Sequence, residues 1–117
     1  MSFTLTMSGV IVGRTDLESR DADRKVALGT FRPGLGYELA QPVFDLYEAA
    51  GTDPAGLDRY RRARDALQLE LTDAGGSQVR FRDLHIRRAK RTAPGGAEYV
   101  IEVSSDDARI WAASPTS

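Results

Sequence analysis

Cysteine does not occur in this chain, and histidine occurs once, at His85. Those two scarcities exclude more chemistry than any motif supplies. Without thiols there is no disulfide framework, no thiolate metal site and no cysteine nucleophile. With a single imidazole, no zinc, iron–sulfur or facial-triad ligand set of the usual composition can be built, so neither metal nor cofactor is expected. Long apolar runs are missing too: no stretch approaches the roughly 18 residues that a membrane span needs. Residues 1–6 lack the basic segment and apolar run of a secretory signal, so none is expected. Lysine is scarce beside arginine, 2 against 14. That bias, with frequent alanine, reads as a GC-rich bacterial genome, and the missing cysteines fit a reducing, cytoplasmic setting.

Catalytic signatures are equally sparse. The chain holds no G-x-S-x-G elbow and no S-x-x-K pair. His85 lies between Leu84 and Ile86 in a strand-like run, where one histidine is more often structural than catalytic. The acidic group Asp16, Glu18, Asp21 and Asp23 resembles a calcium loop only loosely. Counted from Asp21, Lys25 takes the fifth position and Val26 the sixth, where a glycine is required. Asp106 and Asp107 are better read as partners of a helix N-terminus than as an acid–base pair. Gly34-Leu35-Gly36 stands where phosphate loops stand, after a strand and before a helix, but Leu39 replaces the third glycine. A plain turn is the simpler reading. It leaves Arg32, with Tyr37 nearby, as the lining of a small anion pocket, and His85 as a third candidate ligand residue.

What is present describes one ordinary domain. Hydrophobic residues make up 41% and charged residues 28%, enough for a single core at this length. The expected domain covers residues 1–112, followed by a flexible tail at 113–117. Alternation from Phe3 to Met7 marks a strand, extended past a bulge at Gly9 to Val12, and 15–24 reads as a loop. Residues 25–32 form a second strand paired with the first. A helix is expected to begin at Pro42, because a proline in the interior would cost about 3 kcal/mol. Gly51 stops it, and a second helix runs from 54 to 66, with Asp53 as its cap. Residues 67–72 are the clearest strand. For Leu69 and Leu71 to share a face with Val79, facing residue numbers must add to an even value. The loop is therefore odd-numbered, and Glu70 falls opposite Arg80 or Arg82. A phase slip near Asp83 precedes Leu84 and Ile86. A turn at 92–96 then leads into a last strand, 98–103, and a short helical turn ends near Trp111. The expected fold is α+β, a mainly antiparallel sheet of about five strands in β-β-α-α-β-β-β order with two helices on one face.

Net charge is −1, but residues 53–91 hold ten basic side chains against six acidic ones. Arg87, Arg88, Lys90 and Arg91 lack acidic neighbours in sequence, which makes them candidates for anion or nucleic-acid binding. Flanking Asp58 and Asp65, and the near-neutral total, weigh against a dedicated nucleic-acid binder. Absence of a catalytic set favours a non-catalytic module that recognises a partner protein or a second copy of itself, with anion binding through 80–91 as the alternative. An enzyme or small-ligand protein with a pocket near Arg32, Tyr37 and His85 ranks third.

Overall fold

The computed structural model describes residues 2–88 and 99–112. The expected tail, the 92–96 turn, Lys90 and Arg91 lie outside the described residues. Strand β1 (Phe3–Met7) returns at once as β2 (Val10–Thr15). The two residues between them, Ser8 and Gly9, both have positive φ, 50° and 84°. That pair of left-handed residues makes the tight turn whose twist matches its flanking strands, and glycine adopts it without strain. A hairpin thus replaces the single bulged strand expected here. The bulge exists, but at Val12: Leu5 faces Gly13 while Thr6 faces Ile11.

The expected loop 15–24 contains another strand, β3 (Ser19–Asp21), beside β4 (Val26–Pro33). Thr15 faces Phe31 and Ser19 faces Leu28, so 16–18 oppose only residues 29 and 30. β2 and β3 therefore behave as one strand broken by an extra residue. Leu17, at φ 46° and fully buried, anchors the break. Its N–H donates to the Thr15 hydroxyl at 3.2 Å.

Helix α1 spans Tyr37–Ala50 and includes Pro42, five residues earlier than the expected start. Tertiary packing overrides the proline penalty here. Tyr37 and Ala40, both upstream of Pro42, are buried. The Tyr37 ring meets Phe31, Phe44 and Tyr99 at centroid distances of 5.4, 6.5 and 5.0 Å. Losing those contacts would outweigh one missing hydrogen bond. Helix α2 (Pro54–Ala66) has the expected bounds, with the Asp53 carboxylate accepting from the Gly56 N–H at 3.1 Å.

The remaining elements are β5 (Leu69–Thr72), β6 (Gln78–Val79), β7 (Asp83–Arg88), β8 (Tyr99–Ser104) and α3 (Ala108–Ala112). Leu71 faces Val79 and Thr72 faces Gln78, the even-sum register read from the sequence. Asp73 N–H donates to Ser77 O at 2.9 Å, closing an odd loop over 74–76. Among the described residues Glu70 forms no ion pair with Arg80 or Arg82; Arg82 reaches Asp106 at 3.3 Å instead. The phase slip near Asp83 proves larger than a bulge. Val79 ends a strand at one margin of the sheet, and Asp83 begins a strand at the other.

The sheet is antiparallel and has eight strands rather than about five, along the path β6-β5-β1-β2-β4-β8-β7 with β3 beside β4. Because only Arg80, Phe81 and Arg82 join its two margins, it is curled. Its inner face carries Phe3, Leu5, Phe31, Leu71, Ile86 and Ile101, all essentially inaccessible. No helix among the described residues is long and apolar enough to cross a membrane.

Pro42 is exposed on α1 and costs that helix a backbone hydrogen bond. Pro42→Ala should therefore stabilise the domain by about 1–3 kcal/mol, read as a higher urea midpoint at unchanged m-value.

Candidate functional site

Strand β7 has three consecutive buried residues, Leu84, His85 and Ile86, which requires cover on both of its faces. Leu84 and Ile86 belong to the inner core. His85 lies on the helix side, parallel to the Tyr47 ring of α1 at 4.4 Å and 5.5 Å from the Tyr60 ring of α2. Its Nε2 is 3.0 Å from Asp83 Oδ2, and its Nδ1 is 2.9 Å from the Tyr60 hydroxyl. Arg64, itself 7% exposed, donates to Asp83 Oδ1 and to Leu84 O, and Arg61 stands 3.8 Å from Asp83.

Hydrogen-bond logic fixes how this cluster handles a proton. A carboxylate only accepts, so Nε2 carries hydrogen in either state of the ring. In neutral His85, Nδ1 accepts from the Tyr60 hydroxyl, and Arg64 serves Leu84 O at 3.2 Å. In the imidazolium, Nδ1–H donates to the Tyr60 oxygen, and that hydroxyl turns to Leu84 O, 2.9 Å away. Neither state leaves a polar atom unpaired. Burial pushes the His85 pKa below its ordinary value, partly offset by the charge of Asp83. Burial acting alone would raise Asp83, but the Arg64 hydrogen bond and the His85, Arg64 and Arg61 charges hold it below the usual carboxylate range. Both imidazole nitrogens and both carboxylate oxygens thus have hydrogen-bond partners within the protein.

A different arrangement opens onto solvent. Across β2 and β4, Arg14 stands directly opposite Arg32, and Gly34 and Leu35 follow on the turn into α1. These residues, with Val10 and Ile11, line a groove of about 610 Å³. Its apolar lining is exposed to an unusual degree: Leu35 98%, Val10 43% and Ile11 41%. Arg32 has Asp16 at 3.4 Å, whereas Arg14 makes no ion pair among the described residues. The turn is fixed to β2 by Gly34 N–H to Val12 O at 2.7 Å and Gly36 N–H to Ile11 O at 2.9 Å. A side chain at Gly36 would come within 2.7 Å of Ile11 O, so glycine is required for that approach.

The residues singled out in the sequence are scattered by this geometry. Arg32 lines the groove. Tyr37 is in the aromatic core, its pKa raised by burial, and His85 is sealed beneath Tyr47 and Tyr60. Arg87 and Arg88 alternate on β7 and so leave it on opposite faces; Arg87 is half-buried, and the Arg88 N–H donates to Glu48. In the basic helix, Arg62 pairs with Asp58 at 2.9 Å and Arg64 with Asp83 and Asp65. Sequence reasoning missed Arg14, Val10 and Ile11 as site residues. Their signal was the Ser8-Gly9 dipeptide between alternating apolar runs, which marks a hairpin and sets Arg14 across from Arg32. Comparison with family models, curated proteins and solved structures finds no match to the chain.

Two outcomes follow from the buried cluster. Arg64→Met removes the buried cation paired with Asp83, leaving Arg61 and His85 as its partners, and should cost about 3 kcal/mol, the low end for a broken buried pair. The Arg64→Met/Asp83→Asn pair should cost less than the sum of its parts in a double-mutant cycle. The unfolded chain binds a proton at His85 more readily than the folded one. Stability is therefore complete above pH 6.5, the ordinary histidine value, and falls as pH drops below it. The depressed Asp83 adds a further loss below its own ordinary value of 3.8. Urea titrations across that range should show the first slope in the native chain and not in His85→Gln.

Proposed function

We propose that this chain is a non-catalytic binding domain that docks a partner protein on the groove between β2, β4 and the glycine turn. One observation carries the proposal: of the five large apolar side chains left exposed among the described residues, three line one groove beside two opposed arginines, while Leu39 and Leu46 lie outside it. Leu35 is 98% exposed, and Val10 and Ile11 border the same groove. Isolated exposed apolar side chains are ordinary, but a contiguous set rimmed by charge is the usual mark of an interaction surface. The most enzyme-like cluster, around His85, keeps its functional atoms for itself. Anion binding through 80–91 has less support, because Arg82 is held by Asp106 and Arg87 and Arg88 diverge. The arginine bias and the absence of cysteine point to a bacterial cytoplasm as the setting.

Selection of short peptides from a random library against the intact domain tests this role. Enriched peptides should bind the native chain and lose at least about tenfold in affinity to Leu35→Asp. That position is too exposed for the change to disturb the core, so the melting temperature should stay the same. An empty selection, or peptides indifferent to Leu35→Asp and Ile11→Thr, overturns the proposal.

A further inference from the structure

We infer that the occupant of this groove is acidic: an extended segment with an aliphatic side chain on Val10, Ile11 and Leu35 and a carboxylate between Arg14 and Arg32. The inference rests on the docking role just proposed and adds the chemistry of the partner. Its basis is the register. Arg14 and Arg32 are directly facing residues on neighbouring antiparallel strands, both exposed, and their alternate neighbours Thr15 and Phe31 are buried. Like charges directly opposite one another are destabilising at such a position. Asp16 offsets one of the two guanidiniums, at 3.4 Å, which leaves the pair with net positive charge. A carboxylate placed between them would meet donors from both sides in the forked geometry that guanidinium favours.

Three other occupants fit less well. A second copy bound through the same face in a symmetric dimer would bring two arginine pairs toward each other. A nucleic acid would satisfy the guanidiniums, but Val10, Ile11, Pro33 and Leu35 give an aliphatic floor with no aromatic ring on which a base could stack. A lone fatty acid would leave much of its chain in water, because the floor residues are open to solvent from above. A protein segment covers the same floor with its own backbone and neighbours.

Fluorescence anisotropy with the intact domain tests the charge requirement. The probes are a short labelled peptide alternating glutamate and leucine, its glutamine–leucine and lysine–leucine counterparts, a single-stranded oligonucleotide and an unbranched fatty acid. The glutamate peptide should bind best and weaken as salt is raised, and the glutamine version should bind at least about fivefold more weakly. Arg14→Thr and Arg32→Thr should each lower glutamate-peptide affinity by a similar factor while the melting temperature stays or rises, because a repulsive pair has been relieved. Arg14→Glu/Arg32→Glu should transfer preference to the lysine peptide. Equal binding of glutamate and glutamine peptides overturns the acidic occupant but leaves the docking role standing, provided that Leu35→Asp still abolishes binding. Tighter binding of the oligonucleotide or the fatty acid, or an unchanged preference in the doubly reversed variant, also overturns it. No binding of any peptide that depends on Leu35 removes both.

Discussion

Between Val79 and Asp83 the chain has three residues, Arg80, Phe81 and Arg82, in which to pass from one margin of the sheet to the other. Four extended Cα steps reach about 14 Å. Six strand spacings laid flat would separate β6 from β7 by about 29 Å. The difference is far beyond any bond-angle adjustment, so the sheet must curl until its margins meet. Polar contacts hold the crossover against the end of β8 and the segment that follows it. Arg82 N–H donates to Ser104 O at 2.7 Å, Arg80 N–H to Asp107 Oδ2 at 2.8 Å, and the Ser105 hydroxyl to Arg80 O. A curled sheet encloses its inner face without a second sheet, which is how a chain of this length surrounds Phe3, Phe31 and Ile101 completely. It also frees the outer face of β7 for the helices.

That second consequence explains the buried charge. With β7 covered on both sides, His85 is buried and Asp83 half-buried where α2 lies across them, and Arg64 supplies the compensating cation. Exchanging such a network for apolar side chains would not by itself weaken a fold, since desolvation offsets most of the attraction. Its value here is positional. Tyr60 and Arg64 on one helix face both reach the Leu84 carbonyl, at 2.9 and 3.2 Å, so sliding α2 along the strand would unpair several groups together. An aliphatic contact would tolerate that slide. Tyr60 and Arg64, with Asp83 and His85 as their partners, thus set how α2 sits on β7.

Local rules were legible in the sequence wherever the deciding interaction lay within a few residues. Asp53-Pro54 fixed the start of α2 because cap and first-turn proline act inside one turn. Face parity of Leu69, Leu71 and Val79 fixed the register of β5 and β6 because alternation along a strand is strict. Features decided across the fold were not legible. Pro42 stands inside α1 because Tyr37 is needed against Phe31 across the glycine turn and against Tyr99, which is far from it in the chain. The strand count rose from about five to eight because the first expected strand is the hairpin of β1 and β2, and the expected loop holds β3, whose 3 residues are too short for periodicity to register. The run across Asp83 also divides, into β6 and β7 at opposite margins. At the groove, Arg32 was found from its glycine turn. Its neighbour Arg14 was hidden by reading Ser8-Gly9 as a bulge, which pointed β2 the wrong way.

The glycine turn also limits how the groove can be used. Past Gly13, the edge of β2 away from β1 has no strand beside it among the described residues, and such an edge ordinarily invites another strand. Here Gly34 and Gly36 donate to the carbonyls of Val12 and Ile11, so the acceptors that an added strand would seek are already taken. Recognition by strand addition is closed off at this point, while the side chains of Val10, Ile11, Arg14 and Arg32 remain outside the bonded backbone. Anything that settles there must be selected by shape and charge. On the docking role proposed for the groove, the hydrogen bonds that shut the edge leave selection of an occupant to the side chains.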